Sequence, residues 1–455
     1  MNNYSNLFLH RDDLRIHDNK GLRKASEDSK TIPVYIDDPR IQESTGKNKE
    51  AFRKQGITKL DEKYRAKRSS LIYRKGNTID ELQKLIEQYS ADKVFLNRSY
   101  TPLKRKIEEN MNQLNVETHI FQDRILVEPQ QLSQEYDTFS PFYTEWKKKE
   151  KTSPMQDPEN LAEIDCEVPK FDTEVKANIP EAGEEIALEK WREFRDRRLQ
   201  DYKNSRDDVA NPDSVSRLSM YYSSGMLGVR KVLKDVEELI QDSSDSGKIR
   251  NYAKYRNELA WREFFYQVLW HNPEAVNQNY KDFEKEIKWR NDPEEFEAWK
   301  KGETGVPFVD AGIRELRETG YMHNRTRQNL ASFLTKHLMI DWRKGAKFFR
   351  EHLVDHDTAS NNGGWQWAAS TGTDSVSIRI FNPVKQGRKY DSHAEYIKRW
   401  LPELRDLDPN SIHNWVEMSQ KERNECDIDY PDPIINFNQR YHMGRKMFEE
   451  ALGNS

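Results

Sequence analysis

The segment densest in reactive side chains is Asp355–Thr373, DHDTASNNGGWQWAASTGT. It gathers two carboxylates (Asp355, Asp357), two amides (Asn361, Asn362), a glycine pair and two indoles, a composition that suits no ordinary helix. Gly363 and Gly364 remove side chains where backbone could approach a flat ligand. Trp365 and Trp367 are two apart, so on a helix they point in different directions. A core turn with two packed indoles has the same composition. In Tyr321–Gln328 (YMHNRTRQ), Asn324, Arg325 and Arg327 open a helix. Arginines there oppose the macrodipole, so they need an anion or carboxylate beside them, or full solvent. In Asn257–Phe265 (NELAWREFF), Glu258, Trp261 and Arg262 share a helical face. That trio can hydrogen-bond to and stack on a heteroaromatic base, or reduce to a Glu–Arg ion pair on a plain helix. His352–His356 (HLVDH) imitates the inverted zinc motif, but with Asp for Glu and no third ligand in the usual context; no metal site is expected.

A frame must hold these residues. The 455-residue chain is 35% apolar and 33% charged, and its 74 Lys+Arg against 78 Asp+Glu leave a net charge of −4. A wholesale basic coat for nucleic acid is excluded, though a local basic face is not. Its 20 Tyr, 19 Phe and 11 Trp set it apart from a disordered polyampholyte. All the tryptophans except Trp146 lie beyond residue 190. Two cysteines, Cys166 and Cys426, cannot build a disulfide framework, a four-thiolate zinc site or an iron–sulfur cluster. Charge returns early in MNNYSNLFLHRDDLR, against a signal peptide, and no apolar run reaches membrane-spanning length. A reduced, cytoplasmic protein is expected.

Asn6–His10, Ile32–Ile36, Ser70–Tyr73, Lys93–Leu96 and Glu117–Phe121 read as strands, with an amphipathic helix through Leu82, Leu85, Ile86 and Tyr89. This alternation predicts a doubly wound parallel sheet. Gly21, Gly46, Gly56 and Gly76 are isolated, so neither G-x-G-x-x-G nor a P-loop can be drawn, against a dehydrogenase or ATPase. From Phe139 to Glu189, prolines and the run Lys147–Lys151 (KKKEK) read as a long surface connection, the lysines solvated. Helical spacing then runs through Val229–Ile240, Asn251–Trp270, Val309–Glu318, Arg325–Trp342 and Ala346–Leu353. The expected class is α/β plus all-α: a sheet domain (1–130), a linker (131–188) and a helical domain (189–455).

Together, Asn257–Phe265, Thr304–Asp310 (TGVPFVD), Met322–Gln328, Ile340–Arg343 (IDWR) and Asn361–Asp374 (NNGGWQWAASTGTD) closely resemble the photolyase/cryptochrome family, most narrowly its class I cyclobutane pyrimidine dimer photolyases. Arg11–Asn19 (RDDLRIHDN) and Val34–Arg40 (VYIDDPR) match as well, so the resemblance covers nearly the whole chain. It implies an α/β domain and a helical domain that cradles FAD.

The resemblance assigns roles. The family's T-S-R-L-S loop for FAD phosphate and ribose appears as Val215-Ser216-Arg217-Leu218-Ser219, one hydroxyl poorer. Tyr202, Tyr255, Glu258, Arg262, Asn324, Arg327, Asp355, His356, Asp357 and Asn361 match cofactor-side positions, Asn361 facing flavin N5. An arginine–aspartate pair there can hold an anionic reduced flavin. Trp365, Trp342 and Trp289 match the electron-transfer chain from flavin to surface. Glu258, Trp261, Asn324, Arg325, Gln328 and Trp367 fall on dimer contacts, and Arg206, Arg379 and Gln386 on further DNA-side positions. Arg325 would meet phosphate and Trp367 would stack on a flipped-out dimer.

Gln328 stands where the dimer photolyases usually carry Met, and in this resembles the DASH cryptochromes; Trp367 departs from them. Ser375–Ile378 is about one residue shorter than the common pattern. The implied function is light-dependent repair of pyrimidine dimers in DNA by a monomer. A blue-light photoreceptor, DASH-type or other, is the alternative, disfavoured by Trp261 with Trp367 and by the lack of a long extension after Ser455. A second, antenna chromophore (deazaflavin, flavin or folate) would be bounded by Asp37–Arg40 and Asn97–Pro102.

Overall fold

A computed structural model describes residues 5–27 and 29–453; the first four residues of the N-terminal stretch and the last two of the chain lie outside it. Five strands, β1 (Ser5–His10), β2 (Lys30–Asp37), β3 (Ile72–Lys75), β4 (Ala91–Asn97) and β5 (Glu117–Phe121), form one sheet in the order β3-β2-β1-β4-β5. Every pairing is parallel. Leu7, Leu9, Val34, Val94 and Leu96 are buried because helices cover both faces, including Lys47–Ala66 and Thr78–Tyr89. The strand order turns back between β1 and β4, the switch point of a doubly wound sheet.

Three sequence expectations need correction. The supposed linker contains a helix, Phe139–Lys148, and the next one already starts at Glu184. Pro141 is tolerated because it sits in the first turn, where its missing N–H has no intrahelical partner. Phe142 and Trp146, four apart, bury that helix against the long helix Ser246–His271, and the Trp146 indole donates to Glu263 Oε2 at 2.7 Å. Nor is Arg325–Trp342 one helix. Asn324–Ser332 passes into a π-helical turn, Phe333–His337; Met339 then adopts φ +52°, and a new helix starts at Trp342 under the Asp341 cap. Finally, the segment judged unfit for a helix is one. Thr358–Ala369 is capped by Asp357, which accepts from Ser360 N, and is ended by Ser370 in the left-handed region. Its two glycines suit different neighbours. A Cβ on Gly363 would stand 2.2 Å from Phe265 of the long helix, whereas one on Gly364 would meet nothing within 4 Å.

The sheet domain and the helices share one core. A single apolar cluster runs from Phe8, Leu14 and Tyr64 to Leu188, Tyr202, Tyr255 and Phe264. Beside it lies a buried ionic network. Arg230 pairs with Asp18 and Asp123 at 2.7 and 2.6 Å, and Arg15 pairs with Asp123 at 2.6 Å. Gly225, at φ +65°, closes the seam: a Cβ there would fall 1.9 Å from the Asp12 carbonyl. Among the described residues no helix is long and apolar enough to cross a membrane.

Candidate active site

A cavity of about 550 Å³ opens among the helices. The long helix supplies Tyr255, Glu258, Trp261, Arg262 and Phe265, the start of Asn324–Ser332 supplies Asn324, Arg325, Arg327 and Gln328, and Thr358–Ala369 supplies Asn361, Gly364, Trp365 and Trp367. Tyr202, Arg206, Ser216, Ser219, Asp355, His356 and Asp357 also line it, so most of the expected residues converge.

Its floor is organised by Arg327 and Asp355, paired through two hydrogen bonds of 3.1 and 2.8 Å. Ser219 Oγ donates to the same carboxylate at 2.6 Å. Burial works against an ionised Asp355, but the Arg327 guanidinium prevails and holds its pKa below the usual value. In the Val215–Ser219 loop, Ser216 and Ser219 line the cavity, while Leu218 is fully buried and Arg217, at φ +49°, turns to stack on Tyr321. Arg217 and Leu218 thus shape the loop without lining the cavity. Asn361 spends its Nδ2 on the Ala346 carbonyl at 3.2 Å, which leaves Oδ1 as its free acceptor. Asp357 is clasped by Arg124 at 3.0 Å and by the Tyr266 hydroxyl; burial opposes its charge, and Arg124 and Arg262 outweigh burial. Burial pushes the His356 pKa down to about 4, so the ring is neutral. Its neighbour in the zinc-like motif, His352, is spent on the Phe348 carbonyl, and among the described residues no His, Cys, Asp or Glu group could hold a metal ion.

The rim carries the expected arginines, each already matched with a carboxylate. Arg325 grips Asp207 through bonds of 2.9 and 3.0 Å and donates to Gln328 Oε1 at 3.1 Å. Arg206 pairs with Glu258, and Arg379 pairs with Asp374 at 2.7 Å while covering the Trp367 ring at 4.7 Å. The carboxylate required at the start of Asn324–Ser332 is therefore Asp207 for Arg325 and Asp355 for Arg327. Arg379 and Gln386 lie outside the cavity lining.

Trp365 is buried against Phe349 and Trp299, with ring centroids 4.8 and 6.2 Å away, and its indole N–H has no partner. A side chain on Gly345 would strike it at 2.2 Å. Trp342 is fully buried and donates to Asn279 Oδ1 at 2.9 Å, and the half-buried Trp289 packs on Phe448. All three join one apolar cluster, but only Trp365 lines the cavity.

Sequence reasoning missed several residues. Arg124 comes from the sheet domain's edge in a stretch with no motif. Tyr222 lines the cavity with a buried, unpartnered hydroxyl. Lys49 reaches from Lys47–Ala66 to the Ser224 hydroxyl at 2.8 Å, and burial lowers its pKa to about 7.

The family model for the FAD binding domain of DNA photolyase matches residues 255–450, and that for DNA photolyase matches residues 6–160. The deoxyribodipyrimidine photo-lyase of Halobacterium salinarum is 37% identical, with 98% of this chain and 99% of that one covered. A bacterial class III photolyase from Agrobacterium tumefaciens superposes with a TM-score of 0.89 at 31% identity, covering 99% of this chain and 98% of that one. A Synechocystis cryptochrome gives 0.89 at 30%, covering 97% and 99%. The chain belongs to the photolyase/cryptochrome family.

The cavity suits the family's cofactor, FAD. Its volume falls within the roughly 300–1,000 Å³ of small-molecule sites. The open face at Gly364 admits a flat ring, while Tyr222 and Asn361 offer unspent hydrogen-bonding atoms.

Proposed function

We propose that this protein is a light-driven DNA-repair enzyme, a deoxyribodipyrimidine photo-lyase that splits cyclobutane pyrimidine dimers. One observation carries the reading: the indoles of Trp261 and Trp367 line the same cavity as the Arg327–Asp355 pair, with Gln328 and Arg325 beside them. Ser216, Ser219, Arg327, Asp355 and Asn361 would hold FAD, which in its reduced form would supply the electron-transfer chemistry of dimer splitting.

The protein's residues do the rest. Arg327 and Asp355 hold a fixed charge pair on the floor, so the site can adjoin an anionic ring without an added uncompensated charge. Asn361 Oδ1, with its Nδ2 held by the Ala346 carbonyl, would accept from a ring N–H. Trp365, Trp342 and Trp289 relay electrons inward from the surface. Trp261 and Trp367 sandwich a flipped-out dimer, which each can stack on because every base has a π-face. Gln328 offers its amide N–H to a pyrimidine carbonyl, since its Oε1 already accepts from Arg325. Arg206, Arg325 and Arg379, with Gln386, meet the DNA backbone, and each arginine must share or exchange its carboxylate to reach a phosphate. Residues 1–130, with a sheet switch point between β1 and β4, would take an antenna chromophore, and residues 189–455 the FAD and the DNA. We assign the working form as a cytoplasmic monomer.

The test is blue-light repair of one thymine dimer placed in duplex and in single-stranded DNA. Repair of the duplex dimer is expected, and Gln328→Met should retain it with a modest change in quantum yield. Repair restricted to single strands would shift the assignment to a DASH-type enzyme. Repair of neither would make the protein a photoreceptor.

A further inference from the structure

Trp261 does not stand alone at the cavity. Phe139, the first residue of the helix in the supposed linker, lies face to face on it, with ring centroids 3.8 Å apart and planes 5° from parallel. Tyr143, one turn on, stacks behind Phe139 at 5.4 Å and 14°. Around Trp261 the other rings lie differently: Phe264 meets it edge-on at 88°, and Phe265 tilts by 36°. One face of the indole is thus occupied by a parallel ring from the protein.

The helix that carries that ring is held at three points. Phe264 meets Phe139 edge-on at 6.0 Å. The Tyr143 hydroxyl accepts from Arg256 Nε at 3.2 Å, and Arg256 is fixed by Glu237. Trp146, at the far end of the helix, donates to the buried Glu263, which also accepts the backbone N–H groups of Leu126 and Val127 at 2.6 and 3.1 Å. Such bracing exceeds what a surface connection needs. An indole with free rotamers would pay ordering entropy on each binding event, and a backed one would not.

We infer that Phe139 is a positioning residue for the damaged substrate: it clamps Trp261 so that the indole's remaining face is presented, already ordered, to a flipped-out pyrimidine dimer. The inference rests on the reading of Trp261 as a dimer-stacking residue. Its requirement is a flat ring at position 139, beyond an apolar side chain of similar volume.

The experiment measures dissociation constants of the flavin-loaded protein for dimer-containing and undamaged duplexes, with thermal midpoints and flavin content alongside. Phe139→Leu should weaken dimer binding about three- to tenfold, the fold-change to which one aromatic stack corresponds, and leave undamaged DNA near the parent value. Phe139→Tyr should restore parent affinity, because it restores the ring. Phe139→Ala should behave like Phe139→Leu at temperatures well below its own melting point. Parent-like dimer binding by Phe139→Leu, or equal losses on both DNAs, would overturn the inference. Trp261→Ala separates this failure from a deeper one. If it weakens dimer binding while Phe139→Leu does not, only the clamp is wrong; if it leaves dimer binding unchanged, the stacking reading falls and the clamp with it.

Discussion

Burial keeps three histidines neutral at ordinary pH: His323 and His356 have pKa values pushed down to about 4, and His337 to about 3. His323 has a structural use for this state. Its Nδ1 accepts from Arg325 N as a helix cap, so Nε2 keeps the proton and donates to the Arg206 carbonyl at 3.0 Å. His337 has none, since both ring nitrogens are buried without partners between Phe333 and Phe437. Because its ring binds a proton more weakly folded (about 3) than unfolded (about 6.5), the stability it allows is complete above pH 6.5 and drains away as pH falls. His337→Phe removes that loss. Its stability relative to the parent should rise as pH falls from 7 to 5, by on the order of 2 kcal/mol, in denaturant unfolding at each pH. A difference that stays flat with pH would mean that the folded His337 titrates as it does in the unfolded chain.

Among the elements, the helix Thr358–Ala369 lets two adjacent glycines be told apart. Gly363→Ala drives a methyl into the Phe265 ring and should cost about 1–3 kcal/mol. Gly364→Ala meets open space on the cavity side and gains up to about 1 kcal/mol of helix propensity, so it should melt no lower than the parent yet hold less flavin. Thermal midpoint and flavin absorbance per chain distinguish the two; full flavin content in Gly364→Ala would move the ring elsewhere. Element identity was largely legible in the sequence. Apolar runs marked the five strands, and the Phe142/Trp146 spacing of the Phe139–Lys148 helix was visible but hidden by Pro141 and the lysines. The break after Ser332 was not legible, because a left-handed Met339 has no local signature. At the cavity, the motif residues were legible and their partners were not. Arg325 finds Asp207, and Asp357 finds Arg124, across sequence distances that no local pattern spans.

At the scale of the whole molecule, the boundary near residue 188 is a change of secondary structure and not of core. A chain shortened to begin near residue 185 would strip Arg230 of both its carboxylates and Glu263 of all three donors, and would split the largest apolar cluster. It is expected neither to melt cooperatively nor to retain flavin, whereas circular dichroism and tryptophan fluorescence of the full chain should report one coincident transition. Cooperative melting with bound flavin in the shortened chain would contradict a shared core. The tightest point of the seam is Gly225, where the Asp12 carbonyl rests in the place of a missing methyl group. The two halves cannot slide at this point without lifting that glycine clear, so the contact resists any change in the separation of sheet and cavity. Were an antenna chromophore held at the carboxyl ends of the strands, its excitation would cross to the cavity over a distance set when the chain folds.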